Sequence, residues 1–192
     1  ARPAVFSFVF GIPPLDVLAE CRRLGIKTLG AATSVAEADA LDQAGVDLIL
    51  ATGLEAGGHR VSFLGRAEDQ LMGTFALTQL IVRRAARPVI AAGGIADGAG
   101  VRAVRALGAA GAQVGTAFLA CDESGADDLH RAALFGPAAQ RTELTRAVTG
   151  RLARCLANRW LDEMADRTAD LAPFPVQGWF FAKLKAAAVA AG

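Results

Sequence analysis

The segment GLEAGGHR, at positions 53–60, holds the residue types best suited to proton transfer. His59 is one of two histidines in the chain and directly follows Gly57 and Gly58. An imidazole with an ordinary pKa of about 6.5 can take a proton near neutral pH, and paired glycines let the backbone lie against a flat ligand. We therefore expect His59 to be a base beside a bound ligand, although an isolated loop histidine is more often structural.

Two further glycine loops have the composition of a phosphate site. The segment GGIADG begins at Gly93, and VGTAF begins at Val114. Glycines such as Gly94 and Gly115 let backbone N–H groups approach phosphate oxygens, and a helix N-terminus nearby adds a positive dipole. The hydroxyl of Thr116 is a further donor. We expect a nucleotide-phosphate site here; the alternative is that these glycines only make tight turns.

The other polar and aromatic candidates favour structural roles. Glu55 is expected to cap the next helix or to neutralise the arginine at the end of its own motif. His130 lies on a predicted exposed helix and is interpreted as structural. Leu152, Leu156 and Trp160 recur every fourth residue, which predicts the packing face of a helix.

Composition limits the class of partner. The chain has 20 basic and 19 acidic residues, so its net charge of +1 would not attract nucleic acid or an anionic membrane. No apolar run approaches 18 residues, which predicts a soluble protein. The three cysteines have neither CxxC nor zinc-site spacing, so we expect reduced thiols, no metal site and a cytoplasmic location. A small molecule is the expected partner.

Short apolar runs alternate with amphipathic segments, which is typical of βα units that form a parallel sheet. Strands are predicted at residues 5–10, 28–32, 46–51, 88–92 and 112–118. Helices are predicted to end at residues 24 and 44, and to span about 74–86, 99–107, 127–135, 154–165 and 180–191. Ser34 and Glu37 have the spacing of a capping box. This pattern permits a (β/α)8 barrel and also an open doubly wound sheet.

Several motifs together resemble one enzyme family. GLEAGGHR, AAGGIADG, QVGTAF with the acidic CDES after it, and GRLARCLANRW look like the successive motifs of the nitronate monooxygenases. The resemblance implies a (β/α)8 barrel that binds FMN at the C-terminal ends of its strands. It assigns the FMN phosphate to Gly94, Gly115 and Thr116, with Gln113 and Val114 beside them.

The same resemblance assigns roles within GLEAGGHR. Gly57 and Gly58 match the glycines that approach the flavin, and His59 matches the catalytic histidine of the family. Just before this motif the family often carries a glutamine, where this chain has Thr52.

The function implied by the resemblance is an FMN-dependent oxidation of nitronates or nitroalkanes by dioxygen. In it, His59 removes the α-proton of a neutral nitroalkane. One alternative is an FMN-dependent enoyl-thioester reductase that uses NAD(P)H, because that related group shares the EAGGH and AAGGI motifs. Another is a non-catalytic flavin-binding fragment.

The resemblance also identifies the five strands as strands four to eight of the barrel, followed by a helical tail. Residues 1–192 are accordingly interpreted as one partial FMN-binding barrel domain that lacks three N-terminal βα units. A sheet with an open edge is a liability in solution. We therefore expect an N-terminal segment or another chain to complete the barrel.

Overall fold

Alternating strands and helices build the first of two units in this protein. The computed structural model describes residues 2–191. The first unit comprises residues 2–56 and 61–118, and the second comprises residues 57–60 and 119–191.

The strands are β1 (Val5–Phe8), β2 (Lys27–Ala32), β3 (Leu48–Thr52), β4 (Gly58–His59), β5 (Val89–Ala92), β6 (Gly111–Gln113), β7 (Thr142–Thr145) and β8 (Ala153–Leu156). The α-helices are α1 (Leu15–Arg23), α2 (Val35–Gln43), α3 (Thr74–Val82), α4 (Gly98–Ala106), α5 (Thr116–Leu119), α6 (Asp128–Phe135), α7 (Arg159–Met164) and α8 (Val176–Ala191). Among residues 2–191, none of these helices combines the length and the apolar character that crossing a bilayer requires.

The first unit contains a parallel sheet with the strand order β1-β2-β3-β5-β6. Each neighbouring pair is parallel, and helices connect the successive strands. The C-terminal ends of parallel strands share one edge of a sheet, so the loops that follow them are neighbours. The predicted parallel α/β arrangement of five strands is confirmed.

The core of this sheet explains why its strands lack a polar face. Ile49 and Ala51 of β3 are completely buried, and they belong to a cluster with Leu41 of α2 and with Leu77 and Ile81 of α3. A second buried cluster lies on the other face of the strands. A parallel sheet is buried on both faces, so its strands are apolar on both. For this reason the short apolar runs were sufficient to locate them.

The fifth predicted strand is too long. It was expected to extend to residue 118, but β6 ends at Gln113 and a helical turn begins at Thr116. Alternation between small and apolar residues does not distinguish a buried strand from the start of a buried helix. Val114, Gly115 and Thr116 therefore lie beyond the strand.

A buried carboxylate anchors the start of α2. The Ser34 hydroxyl accepts the N–H of Glu37 at 3.3 Å, as the predicted N-cap requires. The Glu37 carboxylate, however, is fully buried and accepts four hydrogen bonds from other groups. They come from the N–H and hydroxyl of Thr33 at 2.7 and 2.8 Å, and from the N–H groups of Phe63 and Leu64 at 2.6 and 3.1 Å. Glu37 thus joins two distant loops of the first unit.

The second unit contains an antiparallel sheet with the strand order β4-β8-β7. Gly58 and His59 of β4 are paired with Arg154 and Ala153 of β8. The prediction that GLEAGGHR is entirely loop is therefore wrong at these two residues. The prediction of a helical tail is also only partly correct, because the tail contains β7 and β8, two strands of this sheet.

The helix predicted at residues 154–165 is wrong in its first part. Residues of β8 occupy that part, and α7 begins only at Arg159, after Asn158 accepts the N–H of Leu161 as N-cap. A spacing of four residues places side chains on one face of a strand as well as of a helix. The recurrence of Leu152 and Leu156 was therefore ambiguous. The helices expected at residues 127–135 and 180–191 are confirmed, and the second begins earlier, at residue 176.

Glu37→Gln should lower the free energy of unfolding by about 2–4 kcal/mol, because the new amide group would place donors against donors at a buried site. Chemical denaturation measures this change. The matched control is Glu20→Gln, which alters an exposed pair with Arg23 and should leave the unfolding midpoint almost unchanged. Equal midpoints for both variants would contradict the role of Glu37.

Candidate functional site

The loop that follows β3 is held by Glu55. Its Oε2 atom accepts the N–H and the hydroxyl of Thr74, each at 2.8 Å, at the first residue of α3. This confirms the expectation that Glu55 caps the next helix. Gly53 lies so close to the Thr74 backbone that a Cβ atom would overlap with it.

The loop that follows β5 also packs against Glu55 and Thr74. Gly93 and Gly94 have positive φ angles of +114° and +67°. A Cβ atom on Gly93 would lie 2.7 Å from Thr74 Oγ1 and 2.9 Å from the Ala56 nitrogen, and one on Gly94 would lie 3.2 Å from Glu55 Cβ. Local packing by itself therefore requires glycine at position 93 and disfavours any side chain at position 94.

The residues after β6, in contrast, are mostly exposed and are not closely packed. Gln113, Gly115 and Thr116 are exposed, and Val114 is half-buried. A Cβ atom on Gly115 would meet no other atom within 4 Å, and no left-handed conformation requires glycine there. Packing within the described residues thus gives no reason for this glycine.

The two loops lie side by side at one edge of the parallel sheet, because Ala92 at the end of β5 is paired with Gln113 at the end of β6. Within residues 2–191, the N–H groups of Gly94, Gly115 and Thr116 donate no hydrogen bond. The exposed Thr116 hydroxyl and Gln113 amide add further donors at this edge.

His59 lies in the second unit, as do Gly57 and Gly58. Its Nε2 atom is 2.7 Å from Oγ1 of Thr149, which lies before β8. The imidazole ring also meets Phe174 edge to face, with 5.7 Å between ring centroids and 81° between ring planes. Both contacts restrict the orientation of the ring. His130, by contrast, is exposed on α6 as predicted.

The surroundings of His59 favour the neutral imidazole. Partial burial lowers its pKa below the ordinary value, and the positive charge of Arg151 lowers that pKa further. At neutral pH a lowered pKa leaves the ring uncharged, so that it can accept a proton. His59 thus has the protonation state that a general base needs.

An open cavity of about 430 Å³ adjoins the histidine through Phe174. All of its lining residues belong to the second unit: Arg146, Gly150, Arg151, Thr168, Leu171, Ala172, Pro173 and Phe174. Two of these residues are arginines that also bind backbone carbonyls: Arg146 donates to Gly150 at 3.2 Å, and Arg151 donates to Arg60 at 3.4 Å.

Sequence analysis did not identify Thr149 and Phe174 as partners of His59. Thr149 lies 90 positions along the chain from His59. Neither residue type is a signal of catalysis by itself, and the only indication was that Thr149 stands just before the GRLARCLANRW segment. Sequence analysis did identify the loops after β5 and β6 as neighbours.

A model of the family described as nitronate monooxygenase matches residues 1–192. A nitronate monooxygenase of Paraburkholderia phytofirmans is 50% identical over 192 residues, which are 100% of this chain and 52% of that protein. A nitronate monooxygenase of Pseudomonas aeruginosa is 45% identical, over 100% of this chain and 55% of the relative. The chain thus spans about half the length of the curated relatives it matches.

Two solved structures have a similar fold. The nitroalkane oxidase of Streptomyces ansochromogenes is similar with a TM-score of 0.90 and 44% identity, over 98% of this chain and 54% of that chain. FabK of Thermotoga maritima is similar with a TM-score of 0.69 and 33% identity, over 86% of this chain and 50% of that chain. The predicted fold class, a part of a (β/α)8 barrel, is confirmed.

The imidazole of His59 should titrate with a midpoint below 6.5, because burial and Arg151 both disfavour its charged form. NMR of the ring Cε1–H resonance against pH measures this midpoint, and a His130→Gln variant assigns the two histidine signals. Arg151→Met should raise the midpoint, whereas Arg159→Met, which removes an exposed arginine paired with Glu163, should not. A midpoint above 6.5 in the unmodified protein would contradict this view of the site.

Proposed function

Because the chain belongs to the nitronate monooxygenase family, we propose that this protein catalyses the FMN-dependent oxidation of nitronates and nitroalkanes by dioxygen. The observation that carries the proposal is His59, a half-buried imidazole with a lowered pKa that contacts Thr149 and Phe174. Removal of the α-proton of a neutral nitroalkane needs a base of this kind.

The residues after β5 and β6 fit the phosphate of FMN. A phosphate monoester is an anion with several acceptor oxygens, and the uncommitted N–H groups of Gly94, Gly115 and Thr116 supply donors that satisfy it. The Thr116 hydroxyl and Gln113 side chain add to this set, with Gly93 and Val114 beside them. FMN, when bound, supplies the electron acceptor that dioxygen reoxidises.

Gly57 and Gly58 are proposed to lie against the flavin. Both are exposed, and Gly58 has a φ angle of +79° with open space where a Cβ atom would be. A side chain at either position would separate the backbone from a planar ligand. The positive φ would itself strain any other residue at position 58.

In the proposed reaction, a ring nitrogen of His59 takes the α-proton of a nitroalkane, and the α-C–H bond breaks. The electron pair of that bond stays on the substrate, which becomes a nitronate anion. A nitronate offered as substrate has already lost this proton, so it needs no base.

We also propose that further βα units, from an N-terminal segment or from another chain, complete the barrel. The two edges of the parallel sheet are β1 and β6, and each has only one neighbouring strand among the described residues. Val5 of β1 and Val9 just after it are both 45% exposed. A closed barrel has no edges and would cover such residues.

A second candidate function is the reduction of an enoyl thioester by NAD(P)H, supported by the shared EAGGH and AAGGI segments. Loss of NAD(P)H absorbance upon addition of an enoyl thioester would favour it. Oxygen consumption with a nitronate and no nicotinamide would favour the main proposal. Failure of the protein to bind FMN would instead favour the third alternative, a non-catalytic fragment.

Thr116→Val should weaken FMN binding about tenfold or more, because a hydrogen bond to a charged oxygen contributes roughly 1.5–3 kcal/mol. Quenching of FMN fluorescence on binding measures the dissociation constant. Thr142→Val removes an exposed hydroxyl of β7 and is the matched control. Equal affinity of both variants would exclude Thr116 from the phosphate site.

His59→Ala should reduce kcat/KM for neutral nitroalkanes by about 100-fold or more, whereas turnover of preformed nitronates should change much less. Oxygen uptake at fixed pH measures both rates, and His130→Ala is the control, which should behave as the unmodified protein does. Equal losses on the two substrate classes would show that His59 is not the base.

A further inference from the structure

The chain leaves β1 through a residue in an unfavourable backbone conformation. Phe10 has a φ angle of +69°, and among residues 2–191 it is the one residue other than glycine with a positive φ angle. In this left-handed region the Cβ atom of a bulky residue lies too close to its own backbone. Glycine has no Cβ atom and adopts the same conformation without this cost. An aromatic side chain therefore occupies a position where glycine would be less strained.

The left-handed conformation moves the ring of Phe10 to a different face of the sheet from that of Phe8. Side chains two residues apart in a regular strand point to the same face. Phe8 packs against the cluster that contains Ile49 and Ala51, whereas Phe10 packs against the cluster that contains Leu50. Because these successive residues of β3 alternate between the clusters, the two clusters lie on opposite faces. A regular continuation of β1 would not bring the ring to the face that it occupies.

The face reached by Phe10 leads to the glycine loops. The cluster against which its ring packs also contains Ala92, the last residue of β5. Ala92 is paired with Thr52 of β3 and with Gln113 of β6, so these three residues share a row at the C-terminal edge of the sheet. The loops with Gly94 and Thr116 continue from this edge. The ring of Phe10 and the proposed phosphate donors therefore belong to the same edge of the first unit.

Phe10 keeps part of its surface accessible at this edge. It is half-buried, whereas Ala31, Leu50 and Ala92 of the cluster are no more than 6% exposed. A side chain needed only for the core could be supplied by a strand in its regular conformation. Backbone strain persists where the surrounding structure enforces it, and it is concentrated at sites that contact ligands. The strain at Phe10 is thus an indication of a ligand contact.

We propose that Phe10 is a cofactor-contacting residue, whose ring forms an apolar wall against the isoalloxazine ring of bound FMN. The identity of this ligand rests on the proposed function. The isoalloxazine ring is planar and largely apolar, and an aromatic side chain packs against another planar ring more favourably than its buried area alone accounts for. The donors of Gly94 and Thr116 would hold the phosphate, and Phe10 would contact the ring system.

The first test is the affinity for FMN. Phe10→Leu keeps most of the apolar volume and removes the aromatic ring, so it should weaken FMN binding about two- to tenfold. Quenching of FMN fluorescence on binding measures the dissociation constant. Phe8→Leu is the matched control, because it replaces a half-buried phenylalanine two residues away that packs on the other face. Its affinity for FMN should equal that of the unmodified protein.

The second test separates the strain from the ring. Phe10→Gly and Phe10→Ala both remove the ring, but only glycine adopts a φ angle of +69° without steric cost. Phe10→Gly should therefore unfold at a higher denaturant concentration than Phe10→Ala. At Phe8, which lies in regular strand, the order should be reversed, because glycine is unfavourable within a strand. A lower midpoint for Phe10→Gly than for Phe10→Ala would contradict the strain at this position.

Two results would overturn the contact with the flavin. One is an equal FMN affinity of Phe10→Leu and Phe8→Leu. The other is an unchanged FMN affinity of Phe10→Leu together with a KM that changes with the size of the nitroalkane, which would assign the ring to the substrate instead. If the glycine and alanine variants do not fold, Phe10→Leu still decides.

Failure of the proposed function has a different signature. The unmodified protein would then bind FMN, and Phe10→Leu would weaken that binding, but a nitronate would cause no oxygen consumption. This result would support the contact between Phe10 and the flavin while contradicting the reaction. An unmodified protein that binds no FMN would contradict both.

Discussion

The carboxylate of Glu55 fixes the path of the chain after β3, the central strand of the parallel sheet. Glu55 binds the N–H and hydroxyl of Thr74, and this pair both ends the β3 loop and begins α3. The neighbouring backbone approaches Thr74 so closely that Gly53 and Gly93 leave no room for a side chain. The loops after β3 and β5 therefore both pack against the Glu55–Thr74 pair.

The glycines of the loops after β5 and β6 look alike in the sequence, but only those after β5 pack against Glu55 and Thr74. Gly93 and Gly94 have positive φ angles and pack against this pair, so their presence is explained without any ligand. Gly115 has neither constraint, and its N–H donates to no described residue. A glycine that packing does not require is the stronger indication of a bound molecule. The case for a phosphate therefore depends more on the β6 loop than on GGIADG.

The proposed role of His59 as a base depends on both its charge and its orientation. Burial and Arg151 lower the pKa of His59 and so favour the neutral ring, but neither of them fixes the orientation of that ring. Orientation comes from Thr149 and Phe174, which the close packing at Gly150 brings together. A neutral but loosely held imidazole would be a poor base, because proton transfer needs a fixed geometry.

The amino-acid sequence by itself determined the parallel sheet, the cap made by Ser34, and the placement of two glycine loops after adjacent strands. These features depend on residues close in the chain, where hydrophobic period and capping are local effects. Only the tertiary structure decided that Glu37 binds Phe63 and Leu64, that residues near 154 form a strand, and that Thr149 meets His59 across 90 positions. Those contacts depend on folding, because they join groups that no local pattern relates.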